Sequence, residues 1–546
     1  MTHTPRFIVA GALSFWLAGH SMALADVKMP AIFGDHMVLQ QDMPLPVWGI
    51  ADRGEAVTVT VAGKSATAKA GDDGKWSVKL PAIPASTEPV TMTVAGKNKI
   101  TFTDVLVGEV WVCSGQSNME FSLNAAHNSA TELPKANDPQ IRLFRVVKKT
   151  AHTPAPDVSG TWAVCSSTTS AGFSAVGYFF GKDLREKLNR PVGLIGTYWG
   201  GTPAEAWTSL EGLGKDPVLA HYVARWKSLD AAYAQAQVTY PAAKADFDKA
   251  IKEWADKYGK DAMAAEAQWK KDVAAAAAAK QSPPPRPTPA VPKPVEPLDP
   301  NGGPHGPATL YDGMLAPLVP YAIRGAIWYQ GESNAGVAEE YRTLFPRMIK
   351  DWREKWSEGD FTFLFVQLAG FGADDKGWPV LRDAQLGTLS VPKTGMATAI
   401  DIGLPTNIHP MDKMDVGDRL ALAARHIAYG EDLVYSGPIF QSVKKDAKGL
   451  RVEFHDLGSG LTIGKSPWVG PGATALPTDH LVGFEVAGAD GKWQPADATI
   501  DGNALTVSSA SVPDATQVRY DWKAYPAGNL YNKEALPASP FCGKIQ

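Results

Sequence analysis

The stretch that decides the reading is 111-WVCSGQSNMEF-121. An alternating run, 101-TFTDVLVGEVW-111, leads into it as a β-strand. After Gly115 the chain presents Ser117 between Gln116 and Asn118. Gly, Ser and Asn are common turn residues, because Gly permits positive φ and Asn and Ser bond their own backbone. The sharper reading is a strand-to-helix turn that exposes Ser117 as a nucleophile. A serine hydroxyl is a poor nucleophile at neutral pH, so it needs a base and an oxyanion site. The rest of the chain has to supply both.

Strands and helices alternate around this turn. Apolar strands are expected at 191-PVGLIGTYWGG-201, 324-RGAIWYQG-331, 361-FTFLFVQLAG-370 and 395-GMATAIDIG-403. Helical spacing runs through 174-SAVGYFFGKDLREKL-188, 339-EEYRTLFPRMIKDWREKW-356 and 412-DKMDVGDRLALAARHIAYG-430. This alternation predicts a parallel α/β sheet, built from residues 107–211 and 301–432.

The flanks read differently. Residues 26–106 alternate with period two, as in 55-EAVTVTVAG-63 and 88-EPVTMTVAG-96, and predict an N-terminal β-sandwich. Residues 433–546 return to this pattern, as in 449-GLRVEFHD-456, and predict a C-terminal β module. Residues 212–300 read as an insertion. Phe247, Ile251, Trp254 and Tyr258 share one helical face, which Met263 and Trp269 extend, and a helical hairpin is expected. The stretch 282-SPPPRPTPAVPKPVEPLDP-300 cannot be helical and reads as an extended strap or linker.

Residues 1–25 carry Arg6, the apolar run 7-FIVAGALSFWLAG-19 and the cleavage pattern Ala23-Leu24-Ala25. They predict an export signal, with a mature chain from about Asp26, in the periplasm or outside the cell. The apolar run is too short to span a bilayer comfortably, so no membrane association is expected after cleavage. Export permits one disulfide among Cys113, Cys165 and Cys542. A Cys113–Cys165 bridge would brace the Ser117 turn; separate buried thiols are the alternative. A chain of 546 residues with 20% charged residues and a net charge of -4 gives no reason to expect nucleic acid. No Cys or His spacing suggests a metal, and no cofactor is expected. The 17 Trp are a weak pointer to sugars.

Open α/β sheets bind at the carboxyl ends of their strands. Four such ends are rich in polar groups: 114-SGQSNME-120, 197-TYWGGTPAEAW-207, 328-WYQGESN-334 and 401-DIGLPTNIHP-410. His409 would enter from the loop before a helix and act as the base for Ser117. The backbone N–H groups of Ser117 and Gly201, with a side-chain amide from Gln330 or Asn334, would form the oxyanion hole. Trp199, Trp328 and Tyr329 would line an acyl pocket or stack on sugars.

GQSNM, WGGTPAEAW, WYQGESN and DIG…IHP, in this order, resemble the sialate O-acetylesterase family of the SGNH-hydrolase superfamily. Supporting stretches are 173-FSAVGYFFGKDL-184, 310-LYDGMLAPL-318, 381-LRDAQ-385 and 539-SPF-541. The resemblance covers most of residues 30–430. It implies a flavodoxin-like α/β/α core and a serine esterase that removes acetyl groups from carbohydrates. Carried over, Ser117 is the nucleophile, His409 the base, and Gly201 with Gln330 or Asn334 the oxyanion donors. Many superfamily relatives place an acid in a D-x-x-H pattern, but here that position is Thr406. The third member is then Glu332, which the polar strand end favours, or Asp401, or no acid at all, with a backbone carbonyl holding His409.

The expected function is a secreted carbohydrate acetylesterase. Its substrate would be an acetylated oligosaccharide or polysaccharide, with hemicellulose such as xylan or xyloglucan favoured and O-acetylated sialic acid as the alternative. A general short-chain ester hydrolase and a non-catalytic sugar-binding protein are the rivals.

Overall fold

The computed structural model describes residues 26–278, 284–289, 291–297, 299–372, 377–473 and 476–545. The expected export signal at 1–25 lies outside them. The element that organises the molecule is strand β1, Lys99–Gly115. Its first half is the edge of the N-terminal β module, antiparallel to Ser86–Ala95. Its second half is fully buried and runs down the centre of a parallel sheet. The expected border between residues 106 and 107 thus falls inside one continuous strand.

The remaining sheet strands are β2 (Ile141–Arg145), β3 (Trp162–Val164), β4 (Val192–Tyr198), β5 (Gly325–Tyr329), β6 (Thr362–Gln367) and β7 (Thr394–Thr398). Their spatial order is β7-β6-β5-β1-β4-β2-β3, parallel except for β3. Setting aside the edge pair β2 and β3, the five strands follow the flavodoxin-like order 2-1-3-4-5. Helices cover both faces. Phe363 and Phe365 of β6 pack edge-on against Phe345 of a helix at Ala338–Trp356. Between them Leu364 points the opposite way, toward a helix at Met414–Ile427, as the period-two strand demands. That helix packs on another at Ala175–Leu188, with Gly417 against Phe179 and Phe180. The core is therefore a flavodoxin-like α/β/α sandwich, as expected.

One apolar core runs through the N-terminal module and the sheet, whereas the C-terminal β strands enclose a separate one. The C-terminal strands form two four-stranded sheets and a two-stranded one.

The insertion differs from the expected hairpin. Residues Ala220–Ala278 form a single 59-residue helix, about 88 Å long at about 1.5 Å per residue. The proline-rich segment returns along it. Trp269 Nε1 donates to the Pro284 carbonyl (2.9 Å), and Trp254 Nε1 to the Val291 carbonyl (3.0 Å). Arg286 forks onto Glu266 (3.0 and 3.1 Å), and Glu296 reaches Lys244 (3.7 Å). The apolar stripe is real, but its partner is an extended strap. Periodicity reveals that a helix face needs cover; it does not say what covers it.

Candidate active site

Ser117 begins a short helical turn, Ser117–Glu120, directly beyond β1. Gly115 is required there. Its φ is +133°, and a β-carbon on it would lie 2.3 Å from the Tyr329 carbonyl oxygen. The register explains the crowding, because Gly115 sits opposite Tyr198 of β4 on one side and Tyr329 of β5 on the other. Three strand ends therefore converge: Ser117, then Trp199-Gly200-Gly201, then Gln330-Gly331-Glu332.

Ser117 and His409 line the same open cleft of about 430 Å³, with Glu120, Phe121, Ser122, Ala125, Arg145 and Gly172. Asn118 joins the two sides, its Nδ2 donating to the Ile408 carbonyl (3.0 Å). The neighbour of the serine is thus bonded to the neighbour of the histidine. The His409 backbone N–H donates to Asn407 Oδ1 (3.0 Å), which closes its loop. Burial, and then the nearby Lys413 ammonium, lower the His409 pKa. Its imidazole is held in the neutral form that a base requires.

No carboxylate among the described residues is hydrogen-bonded to the His409 ring. Glu332 comes nearest in connectivity. Its Oε1 accepts from Asn118 Nδ2 (2.5 Å), and its Oε2 is buried without a partner. Burial raises its pKa, while the Asn118 hydrogen bond and Lys413 act the other way. Asp401, the other sequence candidate, is not at the site. Its carboxylate is clamped by both Arg419 nitrogens (2.7 Å each) and by the Tyr531 hydroxyl (3.0 Å).

The oxyanion candidates separate in the same way. The backbone N–H groups of Ser117 and Gly201 make no hydrogen bond to other described residues. Gly201 is exposed at φ +77°, and His305 Nε2 is 2.9 Å from its carbonyl oxygen. Gly200 touches the nucleophile turn: a β-carbon there would lie 3.2 Å from Ser117 Cβ. The side-chain amides are committed elsewhere. Gln330 Nε2 donates to Asn334 Oδ1 (2.6 Å), and Asn334 Nδ2 to Glu205 Oε2 (3.0 Å). Both residues are buried, and they brace the Gly200–Trp207 loop from below, with Asn334 Oδ1 also accepting from the Ala204 N–H (2.9 Å).

The aromatic expectations need correction. Trp328 is fully buried among Trp207, Phe345 and Trp352, and Tyr329 is fully buried too. Both are core residues of β5, whose two faces are covered. Trp199 is partly exposed, with Lys148 Nζ 5.4 Å from its ring centre. Cys113 and Cys165 are separate buried thiols rather than a disulfide. Burial pushes the Cys113 thiol well up, and Cys165 Sγ lies 3.1 Å from Ser170 Oγ.

The chain can now be placed among known proteins. The family model described as carbohydrate esterase, sialic acid-specific acetylesterase matches residues 107–273 and 305–426. The chain belongs to this family. A carbohydrate acetylesterase from Xanthomonas citri is 35% identical, with a TM-score of 0.74, and the match covers 95% of this chain and all of that one. The sialate O-acetylesterase of Homo sapiens is 29% identical over 99% of this chain and 97% of its own length. That of Rattus norvegicus is 28% identical over 95% of this chain and 94% of its own. The protein is a carbohydrate O-acetylesterase.

For a member of this family, the sequence reading overlooked four polar residues at the cleft. Glu120 was read as a helix-start residue. Its Oε2 accepts from the Gly200 N–H (2.7 Å) and its Oε1 from Lys148 Nζ (2.6 Å), so it ties the serine turn to the glycine loop. Arg145 ends β2 on the rim, with its side chain 53% exposed. Asn118 was quoted only as part of a motif. Lys413 lies in what reads as the charged start of an amphipathic helix, yet it is fully buried. Its position four residues after His409 was the one available signal.

Proposed function

We propose that the esterase site works through Ser117 and His409. Ser117 Oγ attacks the acetyl carbonyl carbon while His409 takes the hydroxyl proton. The carbonyl oxygen becomes an oxyanion facing the N–H groups of Ser117 and Gly201. Collapse breaks the bond to the sugar oxygen, which receives the proton from His409 and leaves as a hydroxyl. Water then attacks acetyl-Ser117, with His409 again taking and returning the proton, and acetate departs. Glu332 acts at one amide's remove, its negative charge offsetting the imidazolium that forms on His409. The observation that carries this reading is the shared cleft, closed by the Asn118–Ile408 hydrogen bond. Ser117→Ala tests it. Acetate release should disappear with the melting temperature unchanged, because losing an activated nucleophile costs many orders of magnitude. Residual activity above about a hundredth of wild type would refute the assignment.

The substrate we infer is an acetylated hemicellulose oligosaccharide, met outside the cytoplasm after export. The β modules on both sides of the esterase core support an enzyme of polysaccharide breakdown. Among the described residues no helix is long and apolar enough to cross a membrane. A second reading, O-acetylated sialic acid, is favoured by the names of the mammalian relatives and by the exposed Arg145 guanidinium on the cleft rim. Acetate release from acetylated xylan, acetylated xyloglucan and O-acetylated sialosides decides between them.

A further inference from the structure

Lys413 is a cation with almost no water. It is fully buried, and its Nζ lies 4.9 Å from the ring centre of Phe121 and 5.1 Å from that of Tyr329. Its hydrogen bond goes to Asn118 Oδ1 (2.6 Å). An ammonium can only donate, so it fixes which end of the Asn118 amide is the oxygen. The nitrogen end must then face the opposite way. There it meets two groups that can only accept, Glu332 Oε1 (2.5 Å) and the Ile408 carbonyl (3.0 Å). Each atom of the amide thus has one chemically permitted partner set.

We propose that Lys413 is a positioning residue of the esterase. Through the Asn118 amide it locks the serine turn, Glu332 and the loop that carries His409 into one rigid unit. The proposal rests on Ser117 and His409 performing the chemistry. The charges around the ammonium are Glu332 from the end of β5 and Asp412 from its own loop, with His409 as the titratable group it repels. Burial lowers the Lys413 pKa to about 7, and the two carboxylates push it back up. Burying a charge is costly unless partners hold it, which argues that this lysine is kept for something other than stability. Two consequences follow. Without the ammonium the Asn118 amide is free to turn over, and the serine and histidine lose their common anchor. The His409 imidazolium also loses a repelling neighbour, and Glu332 a stabilising one, so both become easier to protonate.

The test uses the full-length enzyme and a short-chain acetyl ester, with variants Lys413→Met, Lys413→Gln, Asn118→Ala and the Lys413→Met/Asn118→Ala pair. Lys413→Met should lower kcat by about 10²-fold, the scale of a misplacement near 1 Å. KM should change little. The acid limb of the pH–kcat/KM profile should move to higher pH by on the order of one unit. Lys413→Gln keeps an N–H donor without the charge. It should retain more turnover than Lys413→Met and show the same shift of the acid limb. The double variant should lose no more than the worse single one, because the two residues act in series. Should Lys413→Met fail to fold, the Lys413→Gln profile decides. An unmoved acid limb in Lys413→Gln, or losses that simply add, would overturn the proposal. Ser117→Ala separates the two levels: if it stays active, the reading of the site fails, whereas if it is dead and Lys413→Gln behaves as wild type, only the role of Lys413 fails.

Discussion

Arg419 grips Asp401 with two parallel hydrogen bonds of 2.7 Å, and the Asp401 side chain is 1% exposed. This carboxylate is therefore spent on holding the end of β7 to the Met414–Ile427 helix. Removing one partner of a buried pair leaves the other charge uncompensated, at a cost of about 3–5 kcal/mol. Asp401→Asn should lower the denaturation midpoint markedly while the folded fraction keeps near-wild-type kcat. Glu332→Gln should do the reverse, lowering kcat by about 10–10²-fold with little change in stability. That is less than the ~10⁴-fold loss seen when a directly bonded triad acid is replaced. Denaturant titration and kinetics on both variants give the ranking; a larger kcat loss in Asp401→Asn would sink it.

Gly200 has no room for a side chain. An added methyl would sit 3.2 Å from Ser117 Cβ and 3.3 Å from Glu120 Oε2. Gly200→Ala should therefore displace the nucleophile, and a shift near 1 Å is enough to cost about 10²-fold in kcat. The contact lies at the surface of the cleft, so the melting temperature should hold. Wild-type turnover in this variant would mean that the glycine loop does not support Ser117.

The acid limb of activity follows from the His409 environment. Burial and Lys413 both disfavour the imidazolium, so its pKa lies below the ordinary 6.5. As pH falls, the base stays neutral, and active, past the point where an exposed histidine would be half protonated. The kcat/KM profile, which reports the free enzyme, should therefore show an acid midpoint below 6.5. A midpoint above that value would mean that another group sets the limb.

Arg145 offers a way to read substrate charge. Its guanidinium donates to the Gly172 carbonyl (3.3 Å), lies 3.8 Å from Glu120, and is otherwise open to the cleft. Arg145→Gln should raise KM for O-acetylated sialosides by roughly ten-fold, the loss of a charge-assisted bond worth about 1.5–3 kcal/mol less solvent screening. KM for neutral acetylated xylan should stay within two-fold, by the same argument. Equal effects on both substrates would assign Arg145 to structure rather than to recognition.

The sequence made the strand–helix alternation plain, and with it the convergence of the Ser117, Gly201 and Glu332 segments at one edge. Period and glycine placement carry that information locally. Burial does not appear locally. Trp328 and Tyr329 look like cleft aromatics because they adjoin QGE, but β5 is an interior strand with a helix on either face. Asp401 looks like a triad acid because it ends a strand near His409. Its true partner, Arg419, comes 18 residues later on a helix whose rotation no motif fixes. Lys413 illustrates the same gap from the other side, since charge in an amphipathic pattern normally faces water.

The helix and its proline strap impose an arithmetic on the insertion. Twenty-five helical residues separate Lys244 from Trp269, and twelve strap residues separate Glu296 from Pro284. At about 1.5 Å per helical residue and about 3.1 Å per polyproline residue, both distances are about 37 Å. The two segments keep step only in a ratio of about two to one. A deletion of two residues from the helix is therefore matched by one from the strap, while an unpaired deletion slides Val291 off Trp254. Length variation in this part of the chain should come in coupled pairs.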